Sequence, residues 1–218
     1  MTNRRRTAIL TGTALILMAI VAIFSIGYAY PQFDNPELNE FLQENILQKN
    51  NLYYSMLIGI FIIIILDFIV SYSLYKYFEE DHKLISLTSG IIRVLYTVIF
   101  SVATFHLTKN LFADQLTNEM VRSNFEQFQT IWNSGLVVFG LHILMLGFLM
   151  KLHRKIPGIL WSITMIAGIS YSLVSSLKLG GANTELVTGL NMILALPMII
   201  GEIGLAVWLL IVGGKEKK

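Results

Sequence analysis

Six long apolar runs constrain the fold of this chain more than any other feature of its sequence. They cover residues 7–30, 52–75, 84–107, 131–150, 158–177 and 188–212. A helix needs roughly 20 apolar residues, at about 1.5 Å of rise per residue, to cross the hydrocarbon core of a bilayer. The sequence therefore predicts an all-α, polytopic membrane helix bundle with six transmembrane helices. We expect residues 1–218 to form a single integral membrane domain.

Composition agrees with a membrane protein and excludes several other classes. Hydrophobic residues make up 55% of the chain and charged residues only 14%, against about 25% charged in an ordinary soluble domain. Cysteine is absent, which excludes disulfides, thiolate metal sites and cysteine nucleophiles. The chain has no Gly-rich phosphate loop, HExxH or GxSxG motif, and no basic patch with interleaved aromatics. We therefore expect no cofactor and no nucleic-acid partner.

Basic residues are distributed unevenly between the two sides of the predicted bundle. Eleven Lys and Arg residues fall on the side of the N-terminus and four on the opposite side, with Arg93 inside a run. Because basic loops stay in the cytoplasm, both termini are predicted to be cytoplasmic. The first run follows Arg4, Arg5 and Arg6 and is longer than a signal-peptide core, so we interpret it as an uncleaved span.

The two longer connections lie on the opposite, outer side and are predicted to hold short interfacial helices. In NPELNEFLQENILQK, Asn35 suits an N-cap and Pro36 the first helical turn, and one face carries Leu38, Phe41, Leu42 and Ile46. The segment DQLTNEMVRSNFEQF is predicted to form a similar helix. Such helices either cap the bundle or offer a surface to a partner.

An aspartate interrupts the apolar stretch FIIIILDFIVSYSLY at residue 67. A lone carboxylate at the bilayer centre costs about 2.5 to 3.5 kcal/mol, so Asp67 should face a partner or a cavity. The third run supplies Arg93, which lies roughly 13 Å from the inner end of its helix, while Asp67 lies roughly 12 Å from the inner end of its own. The sequence therefore predicts an ion pair between adjacent antiparallel helices.

Two further polar residues fall at the same depth. His142 lies roughly 12 Å and Glu202 roughly 15 Å from the inner ends of their helices, and Asn191 shares the side of Glu202. We call Asp67, Arg93, His142 and Glu202 the polar layer, and predict that with Asn191 they form a binding pocket. The alternative is a purely structural role: these residues pair their charges and hydrogen bonds with one another, stabilise one conformation and take part in no chemistry.

Small residues and a proline predict how the helices pack. Thr164, Gly168, Ser172 and Ser176 recur every four residues on the fifth run and form a ridge for close helix packing. Pro197, within the sixth run, removes one backbone hydrogen bond and is expected to kink that helix beside the polar layer.

Three segments carry a further pattern: FGLHILMLGFLM (139–150), RKIPGILW (154–161) and LPMIIGEIGLAVWLL (196–210). Together with Asp67 and Arg93 they resemble the prokaryotic multi-pass membrane proteins catalogued as domain of unknown function 4386. The resemblance runs nearly end to end and implies a prokaryotic cell membrane, but no activity. It implies that the family's characteristic positions are Asp67, Arg93, His142, Pro197, Glu202 and Trp208.

Three functions fit the predicted layer. The first is a non-enzymatic protein whose pocket binds or passes a small solute, lipid or proton, since Glu and His change charge and Arg does not. The second is an intramembrane metal-dependent hydrolase acting on a lipid, with Asp67, His142 and Glu202 activating water. The third is a structural or regulatory subunit of a membrane complex. We take the first as the working hypothesis, with the bilayer and a second copy or another membrane protein as partners, and assign no catalytic residue or metal ligand.

Overall fold

The computed structural model describes residues 2–34, 42–113, 115–153 and 155–215, and all regular structure in these ranges is helical. The first helix, α1, continues into a π-helical segment, Ile23–Ala29, and a 3-10 turn, Tyr30–Gln32. The α-helices are α1 (Asn3–Ala22), α2 (Leu42–Gln48), α3 (Asn50–Phe112), α4 (Asn118–Leu152), α5 (Gly158–Leu179) and α6 (Thr184–Ile211).

Helix α3 is too long for one crossing and folds back on itself. Its 63 residues would extend roughly 94 Å if straight, about three times the hydrocarbon thickness. The helix breaks at His82, where φ is −151° and ψ is 82°. On either side of this break the chain runs antiparallel, because Ser86 Oγ donates to the Tyr75 carbonyl at 2.9 Å and Tyr53 Oη to the Leu107 carbonyl at 2.7 Å. We refer to residues 50–81 and 83–112 as the two arms of α3.

Polar and apolar side chains are distributed as in a protein surrounded by lipid. Arg93 and Asp67 are only 1% and 2% exposed, whereas Ile58 and Ile65 on the same helix are each 59% exposed. Among the described residues, five helical segments are long and apolar enough to cross a membrane, and one of them is the folded-back α3. An exposed apolar surface together with buried charged residues identifies the chain as a multi-pass membrane protein.

Close packing at α5 uses small residues, on two different faces of the helix. A Cβ at Gly168 would collide with the Gly140 carbonyl and the Leu144 amide of α4, and Ser172 Oγ donates to the Val137 carbonyl at 3.2 Å. Thr164 instead packs against Gly201 of α6. Ser176 is exposed and takes no part in this packing. The single ridge expected from the sequence is therefore divided between two neighbouring helices, since four-residue spacing drifts around a helix of 3.6 residues per turn.

Both chain termini lie at one end of the bundle, which we call the terminal end. Arg4 contacts Glu80 at 3.4 Å and also Asp81, beside the His82 turn, and His153 Nδ1 lies 2.8 Å from Asp81. Trp208 of α6 packs edge-on against His153 at 5.8 Å. Arg5 donates to the Leu209 and Leu210 carbonyls in the last turn of α6 and to the Gly213 carbonyl just beyond it. A cation at these carbonyls satisfies groups that a helix C-terminus leaves unpaired.

The opposite end, which we call the far end, differs from the expected pair of interfacial helices. Leu42 and Ile46 of α2 are buried in the protein core, so this helix caps the bundle. Asn35, Pro36, Leu38 and Phe41 lie outside the described residues. The second predicted helix is wrong as a separate element, because α4 begins at Asn118 and continues unbroken to Leu152. Thr117 caps its first turn through the Met120 amide, and no Gly or Pro interrupts the polar turns that precede the apolar run.

Candidate functional site

The polar layer is built around the contact between Arg93 and Asp67. Arg93 Nε and Nη2 both donate to Asp67 Oδ1, at 3.0 and 2.5 Å. The two residues lie on opposite arms of α3, which the short turn at His82 holds side by side. This contact gives the buried carboxylate a cationic partner, which a charge inside a membrane bundle requires.

His142 of α4 extends this network, and its partners fix its protonation. Its Nε2 lies 3.2 Å from Arg93 Nη1, which can only donate, so Nε2 accepts. Its Nδ1 lies 2.9 Å from the Ser89 carbonyl oxygen, which can only accept, so Nδ1 carries the proton and donates. His142 is therefore a neutral imidazole that joins α4 to the second arm of α3.

Glu202 of α6 faces the same space but has a different partner. Its Oε1 accepts a hydrogen bond from Tyr171 Oη of α5 at 3.0 Å. In the part of the chain that the structure describes, no Lys or Arg nitrogen lies within 4.0 Å of its carboxylate. Because His142 is neutral, the layer contains one guanidinium and two carboxylates.

A cavity of about 1160 Å³ opens from this layer toward the far end. Its floor includes Asp67, Arg93 and Glu202, and Leu15, Met18 and Ala22 of α1 line one side. The mouth is polar and lies where α4 meets the turn between α5 and α6, with Asp34, Gln129, Asn133, Lys178, Thr184 and Thr188 around it. An apolar chamber between a polar floor and a polar mouth suits an amphiphilic molecule.

One side of the cavity is an unbroken series of aromatic rings, which we call the aromatic wall. Successive ring centroids along it are 5.8, 5.9, 4.6 and 5.1 Å apart. The last ring belongs to the tyrosine that holds Glu202. In order from the mouth inward the wall consists of Trp132, Phe100, Tyr96, Phe139 and Tyr171.

The cavity separates part of the α5–α6 pair from the main core. Val174, Val187 and Met198 form their own apolar cluster, apart from the main core, to which other residues of α5 and α6 do contribute. At the terminal end α6 returns to α1, where a Cβ on Gly12 would meet the Ala206 carbonyl. Pro197 lies in α6 next to Met198 of the separate cluster.

A second backbone irregularity lies across the cavity from α6. The π-helical segment Ile23–Ala29 contributes Ile23, Ile26 and Gly27 to the lining. Its Ser25 packs tightly on Gly59 of α3 on the other face, where a Cβ would collide with Ser25 Oγ. π-Helical segments are rare in proteins and are frequently found at functional sites.

Burial also affects a carboxyl group at the mouth. Asp34 accepts a hydrogen bond from Gln129 Nε2 of α4. Burial raises the pKa of the Asp34 carboxyl above its usual value, and the hydrogen bond from Gln129 opposes this shift. The Asp34 carboxyl therefore holds its charge less firmly than it would in water.

The structure brings together most of the residues that the sequence singled out. Asp67, Arg93 and His142 are in direct contact, and Glu202 joins them across the cavity floor. Asn191 lies farther toward the mouth, exposed but still on the lining. Sequence reasoning missed Tyr171 and the other residues of the aromatic wall. An aromatic residue inside an apolar run fits the hydrophobic pattern equally well whether it faces lipid or a cavity. No local feature of the sequence therefore distinguishes the two positions.

Comparison with known proteins places the chain among relatives without an assigned activity. An uncharacterized protein of Archaeoglobus fulgidus is 28% identical over 159 residues, which cover 73% of this chain and 84% of that protein. No solved structure matches the chain. The family described as Domain of unknown function (DUF4386) matches residues 10–213, which include every residue of the polar layer. The chain therefore belongs to the DUF4386 family.

Proposed function

We propose that this chain is a non-enzymatic protein of the prokaryotic cytoplasmic membrane that binds an amphiphilic small molecule, such as a lipid, in its central cavity. The observation that carries the proposal is the cavity of about 1160 Å³ with an apolar chamber between a polar floor and a polar mouth. Small-molecule pockets commonly measure about 300 to 1000 Å³, so this chamber has room for an organic ligand or part of a lipid chain.

The proposal includes six crossings with both termini in the cytoplasm. Each arm of α3 has about 30 residues and would extend roughly 45 Å, which is enough to cross a bilayer once. The terminal end, which carries Arg4, Arg5, Lys83 and Lys215 among its basic residues, is then cytoplasmic by the distribution of positive charge. The mouth of the cavity would open toward the outer side of the membrane.

The geometry does not favour the metal-dependent hydrolase. That mechanism needs Asp67, His142 and Glu202 as ligands, yet both ring nitrogens of His142 are engaged, one of them by a guanidinium. Among the described residues, no three His, Asp or Glu side chains are grouped to hold a metal ion. Arg93 at the centre of the layer would also repel a divalent cation.

Saturable binding inside the cavity tests the proposal. Trp132 lines the cavity, and Trp161 and Trp208 can be replaced by Phe so that it becomes the only tryptophan. The protein is reconstituted in phosphatidylcholine nanodiscs and titrated with bromododecanol, whose bromine quenches a tryptophan that it contacts. We expect quenching of Trp132 that saturates, because a binding site has a limited capacity and the bilayer does not.

Two substitutions on α1 form a matched pair for this experiment. Ala22→Phe adds a ring to the cavity lining and is expected to abolish the saturable component. Leu17→Phe places the same ring at an exposed position of the same helix and should leave it unchanged. Quenching that rises linearly with the concentration of bromododecanol in the parent protein and in both variants would contradict a binding cavity.

A further inference from the structure

When Glu202 is ionised, the polar layer has a net negative charge that faces the cavity. Arg93 directs Nε and Nη2 to Asp67, Nη1 to His142, and Nη2 also lies 3.9 Å from Met18 Sδ. None of these contacts is with Glu202. With His142 neutral, one guanidinium faces two carboxylates, and the surplus charge belongs to Glu202, whose hydrogen-bond partner is a phenol.

The surroundings of Glu202 suit a cation in particular. Tyr171 and Phe139 of the aromatic wall meet edge to face at 5.1 Å beside this carboxylate. Aromatic faces attract cations through the ring quadrupole, by about 2 kcal/mol or more where water is excluded. Phe139 already binds the Arg93 guanidinium in this way, with Arg93 Cζ 5.3 Å from the ring centroid. An anionic ligand would meet a carboxylate and the negative faces of these rings.

We infer that the ligand of this cavity is an organic cation, a protonated or quaternary amine on an apolar body, with the Glu202 carboxylate as its counter-ion. The inference rests on the proposed function and names the ligand class of that same site. The apolar body lies along α1 and the aromatic wall, and the ammonium group lies at the floor. The cation then brings the charge of the layer to zero.

A proton is the natural competitor for this site. The groups that act electrostatically on Glu202 are Arg93, Asp67 and Tyr96 of α3 and Tyr171 of α5, with the neutral His142 of α4 behind Arg93. The α1 residues at this level, Leu15 and Met18, carry no charge. When Glu202 takes up a proton the counter-ion is lost, so acidification should release the cation.

Three probes with one tail test the inference in the single-tryptophan protein: bromododecyltrimethylammonium, bromododecanol and bromododecanoate. We expect the ammonium to bind roughly tenfold tighter than the alcohol, and the carboxylate to bind weakest. Glu202→Gln keeps an acceptor for Tyr171 but removes the charge. It should weaken ammonium binding by roughly thirtyfold or more and change alcohol binding by less than about threefold. Acidification should weaken ammonium binding in the parent protein and leave the Glu202→Gln protein unchanged.

The outcomes separate this inference from the proposed function. Saturable alcohol binding without preference for the ammonium, or ammonium binding that Glu202→Gln leaves unchanged, would overturn the cation site and leave the cavity intact as a binding site. Absence of saturation with all three probes would overturn both. Because the alcohol reports on the cavity independently of charge, an unfolded Glu202→Gln protein would be recognised by its loss.

Discussion

Arg93 donates two hydrogen bonds to a single oxygen of Asp67, Oδ1, and a third to His142. The contacts join the two arms of α3 to each other and to α4. They also place a rigid, charge-paired floor under the cavity. The part of the layer that holds the bundle together is therefore distinct from Glu202, which lies on α6 and contacts α5.

Removing the carboxylate of Asp67 should destabilise the fold strongly. Asp67→Asn leaves the Arg93 guanidinium buried without an anionic partner, a change that costs about 3 to 5 kcal/mol. Thermal unfolding in detergent should therefore shift down by well over 5 °C, since about 1 kcal/mol moves the midpoint by about 2 to 4 °C for a chain of this size. The matched control is Glu80→Gln, an exposed partner of Arg4 at the terminal end, which should cost under about 1 kcal/mol.

A double replacement separates charge pairing from packing. Asp67→Leu combined with Arg93→Met removes both charges, and well-packed apolar replacements of a buried pair are often neutral or stabilising. We expect the double variant to unfold at a higher temperature than Asp67→Asn. A double variant less stable than the single one would show that hydrogen bonding to His142 and the shape of the site, and not unpaired charge, dominate the loss.

The sequence was enough to place the charged residues because such residues are rare inside apolar runs. Asp67 and Arg93 lie on runs joined by a short turn, so helical rise alone fixes their relative depth. The family assignment made from the segments around His142 and Glu202 is confirmed by the match over residues 10–213. Neither the relative depth of these two residues nor the family assignment depends on details of side-chain packing.

The cavity and the extent of α4 depend on information that hydropathy does not carry. The cavity forms because α6 diverges from α1. The extent of that divergence is the sum of small packing differences along both helices. The first turns of α4 are polar and amphipathic, so an apolar scan begins at residue 131 although the helix begins at Asn118. Burial of Leu42 and Ile46 in α2 likewise requires knowing that α4 extends far enough to meet them.

Close packing between α4 and α5 should make Gly168 intolerant of a side chain. A Cβ there would meet the Gly140 carbonyl and the Leu144 amide, both of them backbone atoms that cannot rotate away. Gly168→Ala is expected to cost about 1 to 3 kcal/mol through overpacking, measured as a lower midpoint of thermal unfolding. In Gly189→Ala the new Cβ has no neighbour within 4 Å, and the better helix propensity of Ala should raise stability by up to about 1 kcal/mol. Equal effects of the two substitutions would contradict the tight crossing.

The contacts of His153 should make the terminal end sensitive to acid. Burial, which outweighs the attraction of Asp81, lowers the pKa of His153 below its usual value of about 6.5. As the pH falls, His153 is therefore protonated in the unfolded chain before it is protonated in the folded chain. The stability present above about pH 6.5 is lost as the pH falls toward the lowered pKa. We expect the unfolding midpoint to fall between pH 7 and pH 5 and the change to be smaller in His153→Gln. A midpoint that rises on acidification in the parent protein alone would mean that the Asp81 contact dominates.

The fold-back of α3 at His82 predicts which sites are reachable from outside the cell. The chain has no cysteine, so single cysteines introduced at Lys83, Glu119 and Lys215 can each be labelled alone. All three positions are exposed, the first and last at the terminal end and Glu119 at the far end. A membrane-impermeant maleimide should label Glu119→Cys in intact cells, but Lys83→Cys and Lys215→Cys only after the membrane is permeabilised. Labelling of Lys83→Cys and Glu119→Cys from the same side would mean that the second arm of α3 does not cross, because these positions flank that arm.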